Sequence, residues 1–180
     1  VVMFLFSAPT VARAFTTNLN PGATINLATL INNAWSVQIG DKQFGAFFFS
    51  YSDNDFNTSD DLTRSNVTLT ALANDIGFGL SFQQPLLALG TTIKDIGFKY
   101  SVTVTDPNFK ISDIHLSITG STGNGGLGTV NEKVLVGGFA GTIVTNIQAS
   151  IPGVSTDAAD LVSPVTELWV QKDVRVAGNG

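Results

Sequence analysis

The chain has 180 residues, of which 43% are hydrophobic and only 13% are charged, and its formal net charge is −5. This length is typical of one large domain. The acidic balance lacks the basic surface that nucleic-acid binding requires, and the absence of cysteine excludes disulfides and thiolate metal sites. With 18 glycines and few charges, the composition favours a β protein whose polar faces carry hydroxyls and amides.

The N-terminus opens with an uninterrupted apolar run of Val1, Val2, Met3, Phe4, Leu5 and Phe6. Ala12-Arg13-Ala14 follows and has the A-x-A form of a processing site, so one interpretation is the end of a secretory signal. A second interpretation is an apolar strand that the mature protein keeps. A third is a short membrane anchor, although a bilayer span needs about 20 apolar residues. We therefore treat residues 1–14 separately from one domain over residues 15–180.

The helix and strand patterns come next along the chain. Apolar residues at Ile25, Leu27, Leu30 and Ile31 predict a short helix over Thr24–Asn33. Nine later segments have the alternation and the flanking Gly, Pro, Asn or Asp residues that are typical of strands. They are Trp35–Ile39, Phe44–Tyr51, Val67–Leu72, Ile76–Phe82, Gly97–Thr105, Ile111–Thr119, Thr129–Val136, Gly141–Ile151 and Glu167–Val176. Between the last two, Thr156–Leu161 suggests a single helical turn.

The clearest alternation lies on either side of the turn Asp106-Pro107-Asn108. The apolar residues that share one face are Tyr100, Val102, Val104, Ile114, Leu116 and Ile118. Their polar neighbours on the other face are Ser101, Thr103, His115 and Ser117. We expect the apolar set in the core and the polar set exposed or hydrogen-bonded. The fold class predicted is all-β: an antiparallel β-sandwich of about nine strands with one or two short helical turns, and a barrel is the alternative.

A polar stretch offers a candidate metal site, because it holds the four carboxylates of Asp53, Asp55, Asp60 and Asp61. Carboxylate oxygens are the ligands that calcium prefers, but the stretch lacks the Gly at position six and the Glu at position twelve of an EF-hand loop. A solvated loop is the simpler interpretation. We therefore expect no cofactor, with calcium as the alternative.

Two aromatic features suggest a ligand surface. Trp169 lies on the polar face of the last predicted strand, opposite Leu168 and Val170, so it is a candidate for stacking on a sugar ring. The run Phe47-Phe48-Phe49 is interpreted instead as a strand that is buried on both faces.

Catalytic patterns are weak. His115 is the single histidine, and no nucleophile elbow accompanies it, so a Ser-His-Asp relay is not indicated. The stretch Gly123–Gly128 has the spacing of a dinucleotide motif, but a strand pattern follows it where a helix is needed, which indicates a hairpin loop. We expect no enzyme; a glycosidase acting through two carboxylates is the enzymatic alternative.

Four segments in the same order carry a family resemblance: Ile39–Phe44, Tyr100–Pro107, Ile111–Asp113 and Pro164–Val174. Together they resemble the domain of secreted bacterial proteins that bear a C-terminal PEP-CTERM sorting signal, and the resemblance covers about residues 24–176. The printed chain ends at Gly180 without a Val-Pro-Glu-Pro motif, so the resemblance concerns the domain alone. It implies export, a β-sandwich and a role at the cell surface or in extracellular matrix, without catalytic residues.

We therefore predict a non-enzymatic, secreted structural protein, a subunit of a bacterial cell-surface, filament or biofilm-matrix assembly. Self-association would use Val1–Phe6 as a strand added to a neighbour's sheet, with Ala8–Gly22 as an extended arm. The alternative is a carbohydrate- or calcium-dependent adhesion module that uses Trp169 or the Asp53–Asp61 loop. Expected partners are further copies, other matrix components or polysaccharide, with no nucleic acid and no transmembrane segment.

Overall fold

A computed structural model describes residues 15–54, 62–75, 77–83, 86–123 and 125–179. Within these ranges the chain forms twelve strands and one helix. They are β1 (Thr16–Asn18), β2 (Thr24–Asn26), α1 (Leu27–Asn33), β3 (Ser36–Ile39), β4 (Lys42–Asp53), β5 (Thr68–Asn74), β6 (Gly77–Gln83), β7 (Ile93–Val104), β8 (Ile111–Ser117), β9 (Leu127–Val136), β10 (Thr142–Ile151), β11 (Thr156–Val165) and β12 (Glu167–Ala177). All nine predicted strands are present, and the all-β, sandwich-like fold class is confirmed.

One large sheet forms the first layer, in the strand order β1-β3-β4-β7-β12-β9-β10. Its pairings are antiparallel except for β1 with β3, which are parallel. Two further sheets are separate from it: the first small sheet, β2-β5-β6, and the second small sheet, β8-β11. The longest hydrogen-bonded ladders join β7 to β4 and β12, at the centre of the large sheet.

Both small sheets pack on the same face of the large sheet. Alternate residues of β12 show this, because Val170 packs with α1 and β5, Leu168 packs with Ile111 of β8, and Val174 packs with Leu116 of β8. Side chains of one parity point to one face of a strand. The molecule is therefore a sandwich whose second layer consists of two small sheets and the helix α1.

The helix α1 is shorter than predicted and is capped at both ends. The Asn26 side chain accepts a hydrogen bond from the Ala28 N–H at 2.8 Å, which begins the helix. It ends at Ala34, whose left-handed φ of 51° lets the N–H groups of Ala34 and Trp35 bond to Ile31 and Leu30. The first residues of the predicted helix form β2 instead, because they pair with β5.

A bulge in β4 changes which residues face the core. Ala46 has a φ of 50°, and the register with β7 shifts between Gly45 and Phe48. Phe47 and Phe49 consequently pack in the core on the same side as Phe44, whereas Phe48 lies on the outer face and is 50% exposed. The expectation that this strand is buried on both faces is therefore wrong.

The predicted core of the central strands is confirmed. Tyr100 and Leu116 are buried, and the other four members of the set, Val102, Val104, Ile114 and Ile118, pack against the buried clusters. The polar set lies on the opposite faces. His115 and Ser117 are exposed, and Thr103 reaches Glu167 with its hydroxyl at 3.5 Å.

Two further expectations fail in the described chain. Thr156–Leu161 is part of β11 and not a helical turn, because this segment pairs with β8 from Thr156↔Ser117 to Asp160↔Asp113. The arm expected over Ala8–Gly22 does not extend to Gly22, since residues 16–18 form β1 and the Gly22 N–H donates to the Ala71 carbonyl. Val1–Phe6 and three predicted calcium ligands, Asp55, Asp60 and Asp61, lie outside the described residues. No helix of the described ranges has the length and apolar character to cross a membrane.

Candidate functional site

A deep groove separates the two small sheets. Every residue of Gly77–Phe82, in β6, and of Phe109–Thr122, which includes β8, lines a cavity of about 1300 Å³. The more distant strands β5 and β11 contribute only a few residues each. Because β6 and β8 are end strands of their sheets, the groove lies between two strand edges.

Among the described strands, β8 has no partner on the side that faces this groove. In an antiparallel pair, both backbone groups of a residue point to one side, and those of the next residue point to the other. The Ile118 N–H donates to the Ser155 carbonyl at 2.9 Å, on the β11 side. The regular register then directs the N–H and C=O groups of Ser117, His115 and Asp113 away from β11. These three residues form the groove edge of β8.

On the other side of the groove, alternate residues of β6 direct their backbone groups away from β5. The Ala71 N–H donates to the Ala23 carbonyl at 2.9 Å, on the β2 side, so Thr70 and Leu72 of β5 bond to β6. Their register partners in β6 are Ser81 and Gly79. The alternate residues form the groove edge of β6: Phe78, Leu80 and Phe82.

The floor of the groove is the inner face of the large sheet. It is mainly apolar, and its central members come from β4, β7, β9 and β12. They are Phe49, Ile96, Phe98, Tyr100, Val102, Val130, Leu168, Val170 and Val174. Phe82 of the β6 wall packs on this floor, with its ring centroid 4.0 Å from that of Phe98.

A buried ion pair interrupts the apolar floor. Glu132 of β9 and Lys172 of β12 are opposite each other in register, and the Lys172 ammonium donates to the Glu132 carboxylate. Glu132 is 2% exposed, and the Lys172 side chain is 12% exposed. Burial raises the pKa of the Tyr100 phenol well above its ordinary value, and the negative charge of Glu132 raises it further. The floor therefore holds a compensated charge pair beside a neutral tyrosine.

The outer face of the large sheet carries a smaller aromatic group. Trp169 lies on this face, as predicted, but the Phe139 ring packs edge-on against it at a centroid distance of 4.6 Å. Lys99 lies beside this group, with its ammonium 5.5 Å from the Phe48 ring centroid and 5.9 Å from that of Phe139. Trp169 is thus half-buried, and Phe48 is the more exposed ring of the outer face.

The polar candidates that lie in the described ranges do not form a metal-ligand group. Asp53, the described member of the predicted calcium set, accepts a hydrogen bond from the Tyr51 hydroxyl at 2.6 Å at the end of β4. His115 bonds to the Asp113 carboxylate at 2.7 Å on an exposed surface. Over the described ranges, no three His, Cys, Asp or Glu side chains are grouped as metal ligands.

No family model, curated protein or solved structure matches this chain. The groove and the outer-face aromatics are consequently interpreted from their own geometry.

Proposed function

We propose that this chain is a non-enzymatic structural protein, a subunit of an extracellular or cell-surface assembly such as a filament or matrix. The observation that carries the proposal is the groove, where β6 and β8, end strands of the described sheets, face one cavity with a mainly apolar floor. An uncovered edge is a template for pairing with another chain. A groove between two edges suits an extended segment that adds a strand to a sheet.

Composition supports self-association. Only 13% of the residues are charged, so contacts between copies desolvate few ions. Export is part of the proposal and is supported by the resemblance to secreted PEP-CTERM proteins over residues 24–176.

Sedimentation velocity of the full chain over a range of concentrations, with negative-stain electron microscopy, tests the proposal. We expect species heavier than the 18.9 kDa monomer, with a mass that grows with concentration. Phe48→Ser removes the exposed ring of the outer face and should leave assembly intact, since it lies on the face opposite the groove. A chain that stays an 18.9 kDa monomer at every concentration refutes the assembly function.

The outer-face aromatics favour a second candidate function, polysaccharide binding. Phe48 is 50% exposed and Lys99 lies beside it, which provides an apolar ring with an adjacent donor. Affinity electrophoresis in polysaccharide gels tests this candidate. Retention of the wild-type chain that Phe48→Ser abolishes supports it, whereas equal mobility with and without polysaccharide rejects it.

A further inference from the structure

We propose that the groove binds the apolar segment Val1–Phe6 of a second copy as an added β-strand between β6 and β8. The inference rests on the proposed assembly function and names both the donor segment and the acceptor site. The donor lies outside the described residues, so the argument uses its sequence and the geometry of the groove.

The size of the groove fits this donor. A strand advances about 3.3 Å per residue, and neighbouring strands and layers are about 4.8 Å and 10 Å apart, so six residues occupy about 950 Å³. The groove has a volume of about 1300 Å³. The groove therefore has room for a strand of six residues.

The hydrogen-bonding positions also match in number. Along a strand, successive residues direct their backbone groups to opposite sides, so a six-residue strand offers three residues to each neighbour. The β8 edge supplies the three residues Asp113, His115 and Ser117, and the β6 edge supplies Phe78, Leu80 and Phe82. Val1–Phe6 contains no proline, so each internal N–H is available.

The polarity of the floor suits an uncharged donor. Its central charges, Glu132 and Lys172, neutralise each other, and Lys42 at the start of β4 pairs with Asp41 at 2.6 Å. The other central residues are apolar, apart from the hydroxyl of Tyr100. All six donor residues are apolar, and the alternate residues that face the floor lose exposed surface when the segment binds. A charged donor residue on the floor side would lose its hydration without gaining a partner.

The position of residue 15, where the described chain begins, favours binding of the donor segment to a second copy. Residue 15 bonds to Ser36 beside β1, the outermost strand of the large sheet, whereas the floor lies on its central strands. The helix α1 and β5 of the first small sheet pack on β3, β4 and β7, which follow β1 in the large sheet. The eight residues Ser7–Ala14 reach about 26 Å when extended, enough to carry the donor beyond the edge of its own sheet.

Two full-length variants test the exchange. Phe4→Asp places a charge in the donor segment and should prevent it from binding, while the groove is unchanged. His115→Pro removes a groove-facing N–H at an edge position where proline is tolerated, and keeps the donor. We expect each variant alone to sediment as a monomer, and their equimolar mixture to form a complex of twice the monomer mass. Ser163→Pro, in a part of β11 without register partners, is the matched proline control and should still assemble.

The outcomes separate this inference from the proposed function. If the full chain assembles and both variants assemble equally well, the groove is not the acceptor, while the assembly function stands. If the variants are monomeric and their mixture gives no heavier complex, the segment is not exchanged between copies. A mature chain that begins at Phe15 by mass spectrometry also rejects the donor.

Cysteine cross-linking provides an independent measurement if the proline variant fails to fold. The chain contains no cysteine, so each introduced thiol is unique. Leu5→Cys in one copy should form a disulfide with at least one of Asp113→Cys, His115→Cys and Ser117→Cys in another, because paired strands bring Cα atoms to about 4.5–5.5 Å. Leu5→Cys with Ser163→Cys should not. A cross-linked dimer at equal yield in both cases contradicts the proposal.

Discussion

The buried pair between Glu132 and Lys172 leads to a quantitative prediction about stability. Lys172→Met removes the cation and leaves the Glu132 carboxylate, 2% exposed, without its partner among apolar side chains. Breaking a buried pair from one side costs about 3–5 kcal/mol. Since domains unfold with about 5–15 kcal/mol, the variant should lose a large fraction of its stability.

Replacing both partners should reverse most of this loss. Glu132→Leu combined with Lys172→Met removes both charges, and such exchanges of a buried pair for apolar residues are often neutral or stabilising. We expect the double variant to be more stable than either single variant, with strongly non-additive effects. Lys133→Met is the matched control, because Lys133 is the exposed neighbour of Glu132 in β9, and its loss should change stability by less than about 0.5 kcal/mol.

Urea unfolding followed by tryptophan fluorescence measures these differences. For an m-value near 2 kcal/mol/M, a loss of about 3 kcal/mol lowers the midpoint by about 1.5 M. The reasoning is refuted if Lys172→Met costs less than about 1 kcal/mol, or if the two single effects simply add in the double variant. Either result means that water in the groove solvates the pair.

Further predictions concern Tyr100, Leu116 and Ala34. The pKa of Tyr100 is raised in the folded state, so below about pH 10 the phenol is neutral in both states and stability does not depend on it. Above about pH 10 the phenol ionises first in the unfolded chain, which favours unfolding. The unfolding free energy of wild type should therefore fall faster with pH than that of Tyr100→Phe, by about 1.4 kcal/mol per pH unit. Equal slopes above pH 10 contradict this. Leu116→Ala should cost about 2–5 kcal/mol in urea unfolding, whereas His115→Ala, on the exposed face, should cost less than about 0.5 kcal/mol. Ala34→Gly should raise the melting temperature, because glycine relieves about 1 kcal/mol of left-handed strain; a lower melting temperature disproves that assignment.

The strands that sequence predicts are those with large apolar residues at alternate positions. Tyr100–Val104 and Leu168–Val176 show this pattern, and both lie in the centre of the large sheet. The segment Thr156–Asp160 lacks large apolar residues, and its strand conformation depends on pairing with β8. Such dependence on a distant partner leaves no local pattern to recognise.

The candidate site was only partly predictable for the same reason. Lys172 and Glu132 occupy apolar-parity positions in strands that are otherwise rich in valine, which is a usable signal for a buried pair. The groove itself results from the absence of a β6–β8 pairing among the described strands, and strand order is nonlocal. The bulge at Ala46 also has no clear sequence signal, since alanine rarely adopts a positive φ.

The division of the second layer has a consequence for cooperativity. Among the described strands, the first small sheet and the second small sheet share no hydrogen-bonded strand, and both pack on the large sheet beneath them. We expect each to open while the other stays in place, so their amide protons should exchange with solvent at two distinct opening free energies. A strand bound between β6 and β8 would merge them into one hydrogen-bonded layer. In an assembled subunit, the amide protons of both small sheets would then exchange more slowly and with one shared opening free energy. Amide hydrogen exchange would therefore report whether a subunit is bound to its neighbours.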